Sequence, residues 1–168
     1  MKRALVLVLL IAGGIAAAQG LLRAALADTG GRQWVSSGYG PRENPMGGAA
    51  GASIHFGEDL ATRRGTPILA LEDGQVIVCA YGDPVFGRYM VVRDALGYDT
   101  TYAHLSEAWY PKGAFVSRGM VIGLSGNTGA STGPHEHVQV TVDPELYALL
   151  VAGRHAPLVP VHPHELWR

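Results

Sequence analysis

His135-Glu136-His137-Val138-Gln139-Val140-Thr141-Val142 carries the alternation that decides the fold class. In a β-strand, residues two apart point to the same face of the sheet. Val138, Val140 and Val142 thus form an apolar stripe, while His135, His137, Gln139 and Thr141 form a polar one. A period of two over this length is the mark of a half-buried strand. Both imidazoles project from the side of the sheet that is not committed to the core. Glu136 falls on the valine side, a position that suits a strand beginning at a sheet edge open to water.

The same texture extends upstream. Short runs rich in β-branched and aromatic residues occupy 67–71, 75–81, 89–94, 98–104 and 120–124, separated by turn signals. That pattern predicts an all-β domain. Asp73-Gly74 and Leu96-Gly97 mark tight turns between the first four of these strands. The Gly/Ser/Thr segment at 126–133 reads as a loop that delivers the chain into the last strand, and no long helical period appears between 54 and 142.

The flanks have a different composition. Lys2 and Arg3 precede an apolar run over 4–18 and then small residues, the layout of a secretory signal peptide. The small-x-small rule is met after Ala18 and again after Ala27, and Arg23 interrupts the longer apolar stretch. A membrane span needs roughly 20 consecutive apolar residues, so residues 1–27 are expected to export the chain to the periplasm or cell wall. Membrane attachment follows only if this leader stays uncleaved. Residues 28–53 form an irregular lead-in with one short strand near 33–36, and 54–145 form the domain proper. Residues 146–168 are expected to hold a short helix and an irregular tail. Asp143 is suited to cap that helix and Pro144 to open it. His162 and His164 lie among prolines and read as solvated tail.

The chain of 168 residues suits one domain and is expected to be a monomer. Lys+Arg number 13 against 14 Asp+Glu; without residues 1–27 the basic count falls to 10 and the net charge to −4. A nucleic-acid partner is excluded by that balance. The only cysteine, Cys79, lies in an apolar run and reads as a buried, inert thiol.

Four histidines and an aspartate remain to be explained. His55 and Asp59 are four apart, which puts them on one face in a strand and also in a helical turn. Glu58 points away from His55 in the extended form. His104 ends the strand at 98–104, on the face that carries Thr100 and Tyr102. His135 and His137 share a face, and the H-E-x-x-H spacing that would make Glu136 a helical general base is absent. A catalytic zinc takes three side chains and keeps one position for water. Three of the five residues would fill that shell, leaving two for proton transfer.

Taken together, these residues resemble the lysostaphin/LytM-type zinc metallopeptidases, which cut peptidoglycan cross-links or stem peptides. The likeness runs from about Ser36 to Pro144. It is carried by the SSGYGPRENP opening, by His55 with Asp59, by Tyr102-Ala103-His104-Leu105, and by SGNTGASTGPHEHV. The resemblance implies a compact antiparallel β structure with the site in a groove on one sheet. It implies that His55, Asp59 and His137 bind zinc. His104 and His135 would activate the water or stabilise the oxyanion, in an order left open. Tyr39 lies where some members place a tyrosine that supports the transition state, which makes it a candidate substrate contact. Two departures stand out: Glu136 replaces a usually apolar residue, and Phe56 precedes Gly57 where small or basic residues are frequent. The implied function is an exported endopeptidase acting on peptidoglycan. The alternative is a non-catalytic module that binds peptidoglycan or activates a separate hydrolase. Such members lack one or more of the metal and proton-transfer residues, all of which are present here.

Overall fold

The computed structural model describes residues 35–47 and 52–142. The leader, the expected helix after Asp143 and the tail lie outside the described residues. The strands are β1 (Val35–Ser37), β2 (Gly40–Glu43), β3 (Ala52–His55), β4 (Glu58–Ala61), β5 (Pro67–Leu69) and β6 (Gly74–Asp83). They continue as β7 (Gly87–Asp94), β8 (Tyr98–Ala103), β9 (Glu107–Ala108), β10 (Phe115–Val116), β11 (Val121–Leu124) and β12 (His135–Val142). Among the described residues there is no helix, and every strand pairing is antiparallel. The all-β expectation is met.

Seven strands form one sheet in the order β1-β4-β12-β8-β7-β6-β10, three form a second (β5-β11-β9), and β2 pairs with β3 alone. The core lies between the two larger sheets. Val76, Met90, Val92, Tyr102 and Val138 face inward from the large sheet, and Ile68 and Ile122 meet them from the small one. Burying these side chains is the main favourable contribution to folding, about 1.5–3 kcal/mol for each large apolar residue. The Tyr102 hydroxyl accepts the Leu71 amide at 2.8 Å, so a hydrogen bond crosses the same core.

The strand expectations hold at the centre of the sheet and differ at its margins. Leu96-Gly97 does close a tight hairpin between β7 and β8: Gly97 takes φ 84°, and Asp94 Oδ1 accepts the amides of Leu96 and Tyr98. Asp73-Gly74 does not close a hairpin. There the chain passes from β5 in the small sheet to β6 in the large one. The short strand expected near 33–36 is found as Val35–Ser37. The lead-in is otherwise more ordered than its composition suggests, because Gly40–Glu43 pairs with Ala52–His55. Neither segment has an apolar period; pairing holds them, not burial. β9 and β10 are two residues each, too short to leave a periodic trace.

The alternation in β12 holds, with Val138, Val140 and Val142 buried. The edge expected beside Glu136 is absent, however. β12 lies between β4 and β8, and Glu136 is only 7% exposed. Burial pushes its carboxyl up to about 7. Cys79 is half-buried at the margin of the core rather than enclosed, with its thiol 3.7 Å from the Tyr81 hydroxyl.

Candidate metal centre

Three adjacent strands bring the site together. In the register of β12 with β4, His137 stands opposite Asp59; in the register with β8, His137 stands opposite Ala103. His135 is two residues back on the same face. His55 ends β3, and the bend at Phe56-Gly57 turns the chain into β4. Asp59 therefore arrives beside His55 through a bent pair of strands, neither a single extended run nor a helical turn. Glu58 points to the other face, opposite Val138, as the spacing required.

Gly57 makes the bend possible. A Cβ there would lie 2.5 Å from the Val138 carbonyl oxygen and 2.7 Å from Cε1 of His137. The His137 ring occupies the space that a side chain would need.

His104 reaches the site by a route that strand parity does not give. Tyr102, two residues earlier, is wholly buried in the core, so an extended backbone would send His104 to the core as well. Instead His104 has φ 59°, the left-handed region that non-glycine residues seldom occupy. That single rotation turns its ring to the opposite side. Its centroid lies 4.6 Å from that of His135 and 5.7 Å from that of His137. The face shared with Thr100 and Tyr102, expected from spacing, is thus corrected. Strained backbone of this kind costs of order 1–3 kcal/mol and concentrates at functional sites.

The ligand atoms converge closely. His55 Nε2 lies 3.1 Å from His137 Nδ1 and 3.1 Å from Asp59 Oδ1, and His137 Nδ1 lies 2.8 Å from the same oxygen. His55, Asp59 and His137 are all buried and form a group able to hold a metal ion. The donor chemistry fits a cation. The Nδ1–H of His55 donates to the Gly38 carbonyl at 2.9 Å, so a neutral His55 turns only a lone pair toward the carboxylate. A metal ion placed among the three atoms would take a lone pair from each of them. A tetrahedral ion bound at about 2.0–2.2 Å separates its ligand atoms by roughly 3.3–3.5 Å, a few tenths of an ångström wider than observed. Among the described residues, His137 Nε2 is buried and finds no hydrogen-bond partner, and Nδ1 is the nitrogen turned toward His55 and Asp59.

Two further carbonyls orient the remaining rings. Nδ1–H of His104 donates to Thr128 O, and Nδ1–H of His135 donates to Gly133 O, each at 2.8 Å. In each ring Nε2 is then the nitrogen left to exchange a proton. That of His135 lies 3.4 Å from Asp59 Oδ1. The loop at 126–133 thus does more than connect two strands, since its backbone fixes the tautomers of both histidines. Thr128 is itself held, with its hydroxyl donating to Leu105 O and accepting from the Arg88 amide.

The electrostatics follow from burial and crowding. Burial alone would raise the Asp59 carboxyl, but His135, His137 and His55 outweigh it and hold the group far below the usual carboxylate range. Burial, with repulsion from His135 and His137, pushes His104 down to about 4 against the pull of Thr128 O. For His135, burial works against the charged ring, and hydrogen bonding to Asp59 and Gly133 O overcomes it, so its value is raised.

A cleft of about 350 Å³ opens over this group, lined among others by Ser36, Ser37, Arg42, Asp59, His104 and His135. Arg42 escaped the sequence reading. Its Nη1 donates to Asp59 Oδ2 at 2.9 Å and to Ser37 Oγ at 2.7 Å. Its one signal was its place in the SSGYGPRENP segment. Tyr39 is half-buried in the bend between β1 and β2 and is not among the residues lining the cleft.

Residues 53–147 match the profile of Peptidase family M23. The chain belongs to this family. Among relatives, the peptidoglycan DD-endopeptidase ShyA of Vibrio cholerae is 41% identical over 121 residues, which is 71% of this chain and 25% of ShyA. The DD-carboxypeptidase/endopeptidase Mpg of Neisseria meningitidis is 38% identical over 109 residues, 65% of this chain and 24% of that protein. The chain thus spans about a quarter of the length of these curated relatives. Among solved structures, the catalytic domain of the antimicrobial peptidase lysostaphin from Staphylococcus simulans superposes with a TM-score of 0.63 at 27% identity, covering 80% of this chain and 92% of that one. A zinc-containing peptidase from Vibrio cholerae gives a TM-score of 0.58 at 38% identity, covering 64% and 33%. The antiparallel fold is therefore that of an M23 catalytic domain.

Proposed function

We propose that this protein is an exported, monomeric, zinc-dependent endopeptidase that hydrolyses peptide bonds in peptidoglycan cross-links or stem peptides. One observation carries the reading: His55, Asp59 and His137 converge on a single point, and His104 and His135 line the cleft beside it. The activities named for ShyA and Mpg support the choice of substrate. The leader-like residues 1–27 support export to the periplasm or cell wall.

His55 Nε2, Asp59 Oδ1 and His137 Nδ1 would hold the zinc. When bound, zinc supplies Lewis acidity toward a carbonyl oxygen and makes hydroxide available near neutral pH. The protein's own groups do the rest. His104 and His135 present Nε2 as proton acceptors toward the cleft, because Thr128 O and Gly133 O hold their other nitrogens. One takes the proton of the attacking water; the protonated ring then stabilises the oxyanion or passes a proton to the leaving amine. The cleft seats the peptide, and Tyr39 is kept as a substrate contact on the family resemblance alone.

Zinc content and clearing of purified sacculi test the proposal. His104→Ala and His135→Ala are each expected to retain zinc and lose turnover by 100-fold or more, on the order of a lost acid–base group. Metal loss in both variants would show the roles to be misassigned. A wild-type protein that binds sacculi without clearing them would instead support the non-catalytic module. Mass analysis of fragments from defined muropeptides identifies the bond cut.

A further inference from the structure

The guanidinium of Arg42 lies on the far side of Asp59 from the three histidines. Asp59 Oδ1 faces His55, His137 and His135, at 3.1, 2.8 and 3.4 Å. Asp59 Oδ2 takes none of these contacts and accepts from Arg42 Nη1 at 2.9 Å. The same Nη1 donates to Ser37 Oγ at 2.7 Å. The carboxylate is thus divided between two partners of different kinds.

We propose that Arg42 is a positioning residue for Asp59, one that locks the carboxylate so that Oδ1 alone is offered to the metal. The inference rests on the reading of His55, Asp59 and His137 as metal ligands. A carboxylate turns readily about its last torsion, which has broad, roughly two-fold preferences. Left to itself, Asp59 could present either oxygen, or both. A charge-assisted hydrogen bond on Oδ2 removes that freedom. Arg suits the task because it stays charged at any working pH and its nitrogens hold fixed directions.

The fold explains why the residue comes from β2. In the β2–β3 ladder Gly40 pairs with His55 and Arg42 pairs with Ser53. One small sheet therefore carries a ligand, His55, and the group that orients another, Asp59. Ser37, at the end of β1, lies across from Asp59 in the β1–β4 register and fixes the guanidinium in turn. Two segments close to one another in sequence, β1 and β2, brace a single carboxylate from behind. The Arg42 side chain is 29% exposed and that of Asp59 10%, so the pair is sheltered and its attraction is less screened than on an open surface.

Groups that orient metal ligands typically affect affinity by about 10- to 100-fold. The test uses the full chain with Arg42→Gln and Arg42→Lys. Zinc affinity is measured by competition with a chromophoric chelator, melting of the metal-free protein in EDTA, and kcat and KM on a defined muropeptide. Arg42→Gln is expected to weaken zinc about 10- to 100-fold, leave the metal-free melting point unchanged and lower kcat. Arg42→Lys, which keeps the charge but not the fixed geometry, is expected to recover part of the affinity. Unchanged zinc affinity in Arg42→Gln would overturn the proposal, including the case in which only KM rises and Arg42 proves a substrate contact. If Arg42→Gln also melts lower without metal, the lysine variant decides. Recovered affinity supports positioning, and affinity still lost overturns it. A wild-type protein that binds no zinc would sink the metal reading and this one together, whereas zinc binding indifferent to Arg42 sinks this one alone.

Discussion

Glu136→Gln asks what a buried carboxyl in the middle of the large sheet does to stability. Glu136 is 7% exposed on a strand flanked on both sides, and burial pushes its carboxyl from 4.5 up to about 7. The folded-state value lies above the unfolded one. Stability linked to the neutral carboxyl is therefore full below about pH 4.5, declines as pH rises, and is lost once pH passes 7. The gap from 4.5 to about 7, at about 1.4 kcal/mol for each unit, amounts to about 3 kcal/mol on the alkaline side. Glutamine keeps the shape and removes the charge. The variant is expected to match the wild type near pH 4.5 and to exceed it by about 3 kcal/mol near pH 8.5, a rise in Tm of several degrees. Urea unfolding at both pH values, with metal removed by EDTA, measures the difference. If the variant unfolds at the same or a lower urea concentration near pH 8.5, the carboxylate has a cationic partner and the argument from burial is wrong.

Two further substitutions probe the frame around the site. In Gly57→Ala the new Cβ would meet the Val138 carbonyl at 2.5 Å and the His137 ring at 2.7 Å; relief requires a shift approaching 1 Å, and misplacement of that size costs on the order of 100-fold in rate. Muropeptide turnover and zinc titration check this, and full activity would show that the ring moves freely. Tyr102→Phe removes the acceptor of the Leu71 amide inside the core, which is expected to destabilise the fold by about 1–3 kcal/mol. Chemical denaturation reads that loss, and an unchanged midpoint would mean that the amide finds another partner.

Much of the site was legible because period-two alternation is a local property. It assigned His135 and His137 to one face of β12 and the valines to the other, and the burial of Val138, Val140 and Val142 agrees. Spacing picked Asp59 over Glu58, but Asp59 meets His55 across the bend at Phe56-Gly57 and not along one strand. His104 was legible as a residue but not as a direction, since one left-handed φ reverses the parity of the strand that precedes it. Arg42 was legible only as a member of the SSGYGPRENP segment, not as a partner of Asp59. A salt bridge between positions 42 and 59 needs the β2–β3 ladder and the bend at Gly57, and neither has an apolar period to announce it.

The amino-acid sequence by itself determined the strand character, the side on which each alternating residue falls, and the presence of five polar groups suited to a metal and its water. Tertiary structure decided which strands are neighbours, and with that the register placing His137 across from Asp59. It also placed Glu136 in the middle of a sheet rather than at an edge. The physical reason is that a strand's period encodes its faces but not its partners. Partners are set by hydrogen bonds and packing between segments far apart in the chain, which no local pattern records.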